Sequence, residues 1–430
     1  MLADRAQGVD ELVSRTFVLD VLWYIGGAAL VGGAGLAVNG VIATLAGPAA
    51  VGVFNQNFAI YVIAGQVAVG GLQFSTLRGV SQQERVEHVG PVVVSALMMV
   101  VISAGVAAGG LLLLRDAIGR ALDSEETAAG IAYMFPALAL FPINKVMVMA
   151  LNGLGRMRIV AVFQGLRPLI ILVSLIGLLL RNVPAAMLSA SLSSAEAIVC
   201  AGLAVILTRC IRWGPWDRQV LLHWVKSHLS FAFRGALSGI AVEVNTRVDV
   251  LILGFFRADA VVGVYSTAAV VAEAFTLAPA ALRANLDPML GACFANGDTR
   301  RISAVAERLR PVMRKLTAAA ALATLLAFPA VLASFHGAIP VGSTTKILAI
   351  MLGGVSVSVL YRPFLGLLLQ SGRPGAYTLL SAAVLAVNSA LCFTLVPILD
   401  VYGAAVSVSA AYAAEGLLVV LTARRVGVRL

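Results

Sequence analysis

Residues 90–114 read GPVVVSALMMVVISAGVAAGGLLLL, an apolar stretch without a charged side chain. A bilayer core of about 30 Å needs roughly 20 apolar residues in a helix, and comparable stretches recur along the chain. Hydrophobic residues make up 60% of the sequence and charged residues 12%, whereas a soluble domain carries about 25% charged residues. With a mean hydropathy of +0.95, the sequence predicts an all-α polytopic membrane protein and excludes a soluble enzyme.

The number of apolar stretches predicts about twelve transmembrane helices. Their approximate bounds are 18–39, 50–75, 90–114, 129–153, 159–180, 184–208, 230–255, 260–282, 312–335, 346–369, 375–397 and 402–423. Small residues crowd these spans, and Gly105 and Gly109 form a small-x-x-x-small pair typical of close helix packing.

The basic residues decide the expected orientation. A net charge of +10 could indicate a nucleic-acid partner, so the positions of the charges matter. Most of the 31 Lys and Arg residues fall in alternate loops on one side, and few, such as Arg115 and Arg181, fall on the other. Since cytoplasmic loops carry the excess of basic residues, both termini are expected in the cytoplasm. The basic groups are then expected to face anionic membrane lipids, and no nucleic acid is expected as a partner.

The predicted spans divide into two pseudo-symmetric six-helix bundles. We expect an N-lobe at 1–209 with helices 1–6, an interfacial cytoplasmic linker at 210–229, and a C-lobe at 230–430 with helices 7–12. The linker combines tryptophans with Arg and Lys, a composition typical of segments in the headgroup plane. It is interpreted either as a hinge or as a simple interfacial anchor.

Two pairs of short segments indicate an internal duplication. The Gly-Val-Phe at Gly52 corresponds to the Gly-Val-Tyr at Gly263, an offset of 211. The Leu-x-x-x-Gly-Arg of LNGLGR, from Leu151, corresponds to that of LLQSGR, from Leu368, an offset of 217. Six helices are an even number, so the repeats would be parallel and related by an axis along the membrane normal. Chance recurrence in apolar sequence is the alternative.

Ionisable groups inside a bilayer cost at least about 2.5–3.5 kcal/mol each at a helix centre, so they face a protein interior or a watery cavity. The cationic candidates for substrate binding are Lys145, Arg167, Arg234, Arg247 and Arg362. The acidic candidates for ion coupling or for ion pairs in a cavity are Asp249, Glu243, Glu196, Glu273 and Glu415.

Two interpretations of these groups stay open. Converging Arg and Lys residues would bind a multiply charged anion such as a pyrophosphate, whereas separate structural ion pairs would bind nothing. Glu243 and Arg247 are four residues apart and could neutralise each other. The Arg234 side chain could extend to the membrane–water interface rather than contact substrate. Arg362 precedes a proline, which permits a bend in the helix.

Signatures of enzymes and cofactors are missing from the sequence. It contains no phosphate-binding G-x-x-x-x-G-K-[ST] loop, no H-E-x-x-H and no G-x-S-x-G. The four cysteines are far apart and form no metal-binding spacing with the histidines. No metal and no cofactor is expected.

Several motifs together resemble a known family. They are LAGPAAVGVFNQNFAI from Leu45, GLQFSTLRGVSQ from Gly71, ALNGLGRMRI from Ala150, RVDVLILGFFRADAVVGVYSTA from Arg247 and LQSGRPGAYTLL from Leu369. The chain resembles the Wzx-type polysaccharide flippases of the MOP superfamily, which includes MATE exporters and the lipid II flippase. The aspartate of RVDVLILG matches Asp249.

The resemblance implies two six-helix bundles around a cationic central cavity in the bacterial cytoplasmic (inner) membrane. It further implies a flippase that moves undecaprenyl-pyrophosphate-linked oligosaccharide to the periplasmic leaflet by alternating access, for O-antigen or exopolysaccharide assembly. Polysaccharide polymerase and other assembly proteins would be its partners. The alternatives are a MATE-like cation-coupled exporter of small amphipathic molecules and a membrane glycosyltransferase, although the long outer loops that such an enzyme needs are missing.

Overall fold

The computed structural model describes residues 15–83, 88–211, 214 and 216–430, and every regular element in these ranges is helical. The side chains of 15–31, 233–236, 238, 281, 284, 285 and 288 lie outside the description. The α-helices, numbered α1 to α16 in chain order, are Arg15–Val69, Leu72–Ser81, Val89–Ala121, Glu125–Tyr133, Phe135–Gly153, Met157–Leu179, Ala190–Cys210, Arg218–Asn245, Val248–Phe256, Asp259–Ala274, Leu277–Ala295, Thr299–Ala333, Val341–Tyr361, Leu367–Gln370, Pro374–Leu399 and Val401–Arg425. Short 3₁₀ segments span Ala185–Ser189 and Arg362–Phe364.

Ten helical segments between Gly32 and Arg425 are long and apolar enough to cross a membrane. This confirms the predicted all-α polytopic class. The predicted span 230–255 includes residues whose side chains lie outside the description, and the chain divides there into α8 and α9 around a turn that contains Arg247. The predicted first span lies largely on residues whose side chains are outside the description, so the count of twelve stays a prediction.

A kink at Gly47 replaces the loop expected between the first two spans. Helix α1 consists of two helical parts that meet at Gly47, whose φ of 84° and ψ of 172° lie outside the helical region. Pro48 follows, and its missing N–H and fixed φ suit the first position of a new helix. The second part of α1 therefore starts at once, without a connecting loop.

The chain forms two compact units. Unit A is Val38–Val264, and unit B combines the chain up to Ala37 with Tyr265–Leu430. Each has its own apolar core, built around residues such as Val92, Leu151 and Leu203 in unit A and Leu286 and Phe364 in unit B. The expected division into an N-lobe and a C-lobe at 210–229 stays a prediction.

The predicted linker is mostly part of a long helix. Helix α8 starts at Arg218, where the Asp217 side chain accepts a hydrogen bond from the Gln219 backbone N–H, and continues to Asn245. On this helix, fully buried His228 contacts Ser75 Oγ through Nδ1 (2.7 Å) and the Val92 carbonyl through Nε2 (3.0 Å). The C-terminal part of the linker is thus attached to α2 and α3 within unit A.

The two copies of the Leu-x-x-x-Gly-Arg motif form the same helix cap. Gly155 and Gly372 both have a positive φ, 72° and 76°. The N–H of Arg156 donates to the Leu151 carbonyl at 2.9 Å, and that of Arg373 donates to the Leu368 carbonyl at 2.8 Å. This six-to-one bond with a left-handed glycine is the Schellman motif. The motif therefore recurs as structure as well as sequence.

The other repeated segment forms a reciprocal helix crossing within unit A. A Cβ atom added to Gly52 would overlap the backbone of Asp259, and one added to Gly263 would overlap the Pro48 carbonyl oxygen. Asp259 and Gly263 correspond to Pro48 and Gly52 at the offset of 211. Each copy thus contacts the other through equivalent positions, as a two-fold relation between duplicated segments requires.

The close packing that Gly105 and Gly109 would permit is not found at these two positions. Nothing lies within 4 Å of a Cβ atom built on either glycine. Neighbouring apolar side chains on this part of α3, such as Ile102 and Val106, are exposed. Small residues at this spacing permit a close approach but do not force one, and here the stretch faces away from the rest of the unit.

Candidate functional site

The predicted ionisable residues fall into both units. Six of them whose side chains are described lie in unit A: Lys145, Arg167, Glu196, Glu243, Arg247 and buried Asp249. Glu273, Arg362 and Glu415 lie in unit B. The side chain of Arg234 lies outside the described residues.

Lys145 is the centre of the unit A cluster. It lies on α5, where its Nζ donates to Gln66 Oε1 at 2.7 Å and to Glu243 Oε1 at 3.1 Å. Nζ also lies 4.7 Å from the centroid of the Phe141 ring, one helical turn earlier. An ammonium group has three donors, so these two bonds leave one donor for a ligand.

Arg167 and Glu196 form a second, more enclosed pair. Arg167 Nε on α6 lies 2.8 Å from Glu196 Oε1 on α7, and Arg167 Nη2 donates a hydrogen bond to Glu196 Oε2 at 3.4 Å. Tyr61 Oη donates to Oε1 at 2.6 Å, and Asn144 Nδ2 donates to Oε2 at 2.7 Å. The Glu196 side chain is 1% exposed. Three partners around a buried carboxylate are typical of a structural network.

Aromatic rings connect three of the predicted cations. Phe58 lies 5.8 Å from Tyr61, and Tyr61 lies 4.6 Å from Phe141, between ring centroids. The guanidinium of Arg247 lies 5.0 Å from the Phe58 centroid, and that of Arg167 lies 5.4 Å from the Phe141 centroid, where Lys145 also lies. Cation–π contacts within about 6 Å stabilise cations that have left bulk water.

The backbone break in the predicted seventh span sets the place of Arg247. Helix α8 ends at Asn245, and Arg247 caps α9 with φ −136°. Asp249 lies in the first turn of α9 and is buried, where the helix N-terminus favours a carboxylate. Arg247 was one possible partner of Glu243 from the sequence, whereas the carboxylate of Glu243 contacts Lys145. The break changes the register on which the i to i+4 prediction relied.

Unit B repeats one part of this arrangement. Arg362 is six residues before Leu368, as Lys145 is six residues before Leu151. Its Nε lies 3.0 Å from Glu415 Oε2, which also accepts a hydrogen bond from Ser358, and its guanidinium lies 5.2 Å from the Tyr412 centroid. Glu273 is close enough to act electrostatically on Arg362. Each copy of the repeat therefore carries a cation, paired with a glutamate and an aromatic ring, at the same motif position.

Sequence reasoning missed the neutral members of the site. Gln66, Asn144 and Tyr61 hold the charged groups, and all three are buried. A second polar cluster was also missed: Asp259 accepts hydrogen bonds from Gln56 Nε2 at 2.9 Å and from Ser124 Oγ at 2.8 Å. Amide side chains in otherwise apolar spans were the available signal, since buried polar groups need partners.

The match to a family model extends over more than half of the chain. Residues 17–280 match the model described as "Polysaccharide biosynthesis protein". The chain belongs to this polysaccharide biosynthesis protein family. No curated protein matches the chain significantly.

Solved structures place this polysaccharide biosynthesis protein in a known fold. A multidrug resistance MATE family transporter of the MOP superfamily, in an inward-facing conformation, superposes with a TM-score of 0.74 at 15% identity, over 92% of this chain and 95% of that one. The lipid II flippase MurJ, inward closed, gives 0.71 at 12% identity, over 96% and 88%. A MOP superfamily transporter from Pyrococcus furiosus gives 0.64 at 14% identity, over 95% of both chains.

These comparisons settle the coarser predictions. The polysaccharide biosynthesis protein has the fold of the MOP superfamily and is a multi-pass membrane protein. The Wzx-type subfamily, the inner membrane and the cytoplasmic position of both termini stay predictions.

Proposed function

We propose that this polysaccharide biosynthesis protein is a flippase of the Wzx type. Its substrate would be undecaprenyl-pyrophosphate-linked oligosaccharide, moved across the bacterial inner membrane by alternating access for O-antigen or exopolysaccharide assembly. Polysaccharide polymerase and other assembly proteins would use the product. The family match and the contacts of Lys145 support this proposal.

The partial exposure of the Lys145 side chain within an apolar helix is the observation that carries the proposal. Its side chain is 24% exposed although it lies in the helix Phe135–Gly153, which is apolar enough to cross a membrane. An exposed ammonium at this depth is unfavourable against lipid, so it is expected to face water or a polar ligand. Gln66 and Phe141 fix its position from two sides. A fixed cation with a free donor is suited to a phosphate oxygen.

The chemistry of the substrate explains why such a cation is needed. A pyrophosphate joined to sugars cannot enter hydrocarbon without losing its hydration, at a cost of many kcal/mol for an ion. Lys145 and Arg247 would replace part of that hydration, because an ammonium and a guanidinium both donate charge-assisted hydrogen bonds to phosphate. The prenyl chain can stay in the bilayer while the headgroup is held by protein.

The other predicted residues have different roles in this proposal. Arg167 would support the site through its ion pair with enclosed Glu196. Arg362 would provide the corresponding contact in the second copy of the repeat, since it occupies the equivalent motif position. Arg234 stays a substrate-binding candidate from sequence. Asp249, Glu273 and Glu415 stay candidates for ion coupling.

A cation-coupled exporter of the MATE type is the second candidate. The observation in its favour is Glu243, whose side chain is 33% exposed beside Lys145 and would be available to a proton or a cationic substrate. The two functions differ in the sign of the group that contacts substrate. The exporter needs Glu243 and tolerates loss of Lys145, whereas the flippase needs Lys145.

The test replaces Lys145 and, separately, Arg247 with Ala in cells that depend on this protein for surface polysaccharide. Both variants should accumulate lipid-linked oligosaccharide and reduce surface polysaccharide at normal protein levels, and Lys145→Arg should restore part of the activity. Lys346→Ala, which removes the same group at an exposed position, is the matched control. Unchanged surface polysaccharide in both site variants would refute the proposal.

A further inference from the structure

The three ion pairs of the charged clusters differ in how easily they can be opened. In the Arg167–Glu196 pair, the acid is 1% exposed and is held by two additional donors. In the Arg362–Glu415 pair, both side chains are largely enclosed, at 16% and 10% exposed. In the Lys145–Glu243 pair, the side chains are 24% and 33% exposed. Releasing the acid from its cation costs least where the acid can regain water.

Glu243 also has the simplest contacts of the three acids. Lys145 Nζ lies 3.1 Å from Glu243 Oε1, longer than its 2.7 Å bond to Gln66 Oε1. Glu243 lies two residues before the C-terminal end of α8, next to the break before α9. Its carboxylate can therefore move away while Gln66, which is 3% exposed, keeps Lys145 in position.

From these differences we infer that Glu243 is the resident anion of the Lys145 site, a carboxylate that substrate phosphate displaces. This inference rests on the proposed function and adds to it a residue that competes with the substrate for Lys145. Without substrate, Glu243 neutralises Lys145, which avoids an uncompensated cation within the membrane. When a pyrophosphate group arrives, its oxygens take over the ammonium and Glu243 returns to water.

The exchange sets a minimum attraction to Lys145 that a ligand anion must exceed. A carboxylate ligand carries the same charge as Glu243 and gains little by replacing it. A pyrophosphate carries more charge on more acceptor oxygens, so its attraction to Lys145 exceeds that of the carboxylate. Glu243 thus lowers the affinity for every anion by the same factor, so that a weakly attracted, singly charged anion no longer binds measurably whereas a pyrophosphate still does.

The experiment measures binding of inorganic pyrophosphate and of acetate to the purified full-length protein in detergent. The variants are Glu243→Gln, Glu243→Asp, Lys145→Ala and the control Glu307→Gln, which removes the same charge at an exposed position of α12. Glu243→Gln should bind pyrophosphate more tightly, by up to about five-fold, the range for a part-exposed ion pair. Acetate binding should tighten by the same factor, because both anions compete with the same carboxylate. Glu243→Asp, which keeps the charge, should retain the wild-type affinity for both anions.

The failures of the two proposals are distinguishable. Equal or weaker pyrophosphate binding by Glu243→Gln, with binding still lost in Lys145→Ala, would overturn the resident-anion inference and leave the proposed site intact. Pyrophosphate binding that is unchanged in Lys145→Ala would overturn both. If Glu243→Gln folds poorly, Glu243→Ala, which also removes the carboxylate, decides: tighter pyrophosphate binding than wild type supports the inference, and equal or weaker binding overturns it.

Discussion

The reciprocal crossing of the duplicated segments gives the sharpest stability prediction. Replacing Gly52 with Ala places a methyl group inside the contact distance of the Asp259 backbone, and replacing Gly263 with Ala does the same to the Pro48 carbonyl. Backbone atoms cannot turn aside as a flexible side chain can, so the helices must separate. Overpacking of this kind costs about 1–3 kcal/mol.

The double variant gives the discriminating result. Both methyl groups lie at one crossing, so the separation that admits the first also admits the second. The cost of Gly52→Ala and Gly263→Ala together should therefore be clearly less than the sum of the single costs, a coupling that a double-mutant cycle measures. Two sites in separate places would give additive costs.

The assay is thermal unfolding of the full-length protein in detergent, followed by intrinsic fluorescence. Each single variant should lower Tm, by about 1–2 °C per kcal/mol for a chain of this size. Gly105→Ala is the matched control because a Cβ atom there meets nothing within 4 Å, and Ala favours helix over Gly. A Gly52→Ala variant as stable as Gly105→Ala would refute the reasoning.

Three further predictions use the same assay. Glu196→Gln should destabilise the protein by about 1–3 kcal/mol, because it leaves Arg167 without its buried partner. Glu243→Gln should lower the free energy of unfolding by less than about 1 kcal/mol. Equal losses of stability in the two variants would contradict the difference in burial between the two glutamates. Gly155→Ala and Gly372→Ala should each cost about 1 kcal/mol because both glycines have positive φ, while Gly375→Ala, which meets nothing within 4 Å, should be neutral. Burial lowers the pKa of His228, against the opposing effect of its bond to the Val92 carbonyl. Below about pH 6.5, the unfolded state therefore takes up a proton that the folded state resists, so Tm should fall on acidification, and His228→Gln should reduce that slope.

The fold was largely predictable because hydropathy and length constrain it. Stretches such as 90–114 lie in helices long enough to span a bilayer, and the repeat at offsets of 211 and 217 corresponds to shared caps and a reciprocal crossing. Periodicity does not report where a helix breaks. The division between Asn245 and Val248 depends on tertiary contacts, so the prediction of one continuous seventh span was wrong.

The candidate site was predictable in its charged members but not in its pairing. The free-energy cost of placing an ionisable group inside a membrane identifies Lys145, Arg167 and Glu196 as candidates from the sequence. Which acid meets which cation depends on helix rotation and on neutral partners such as Gln66 and Asn144, whose amides have no charge to draw attention in a sequence. Helix spacing alone therefore paired Glu243 with Arg247, whereas its carboxylate contacts Lys145.

Movement of a substrate between leaflets is the property on which the whole proposal depends. The direct measurement reconstitutes the protein in liposomes with a prenyl-pyrophosphate-linked saccharide that carries a fluorescent label, and follows the fraction accessible to a membrane-impermeant quencher. Wild-type protein should make the inner-leaflet pool accessible, and Lys145→Ala should not. A wild-type protein that leaves this pool protected, or a Lys145→Ala variant as active as wild type, would contradict the account.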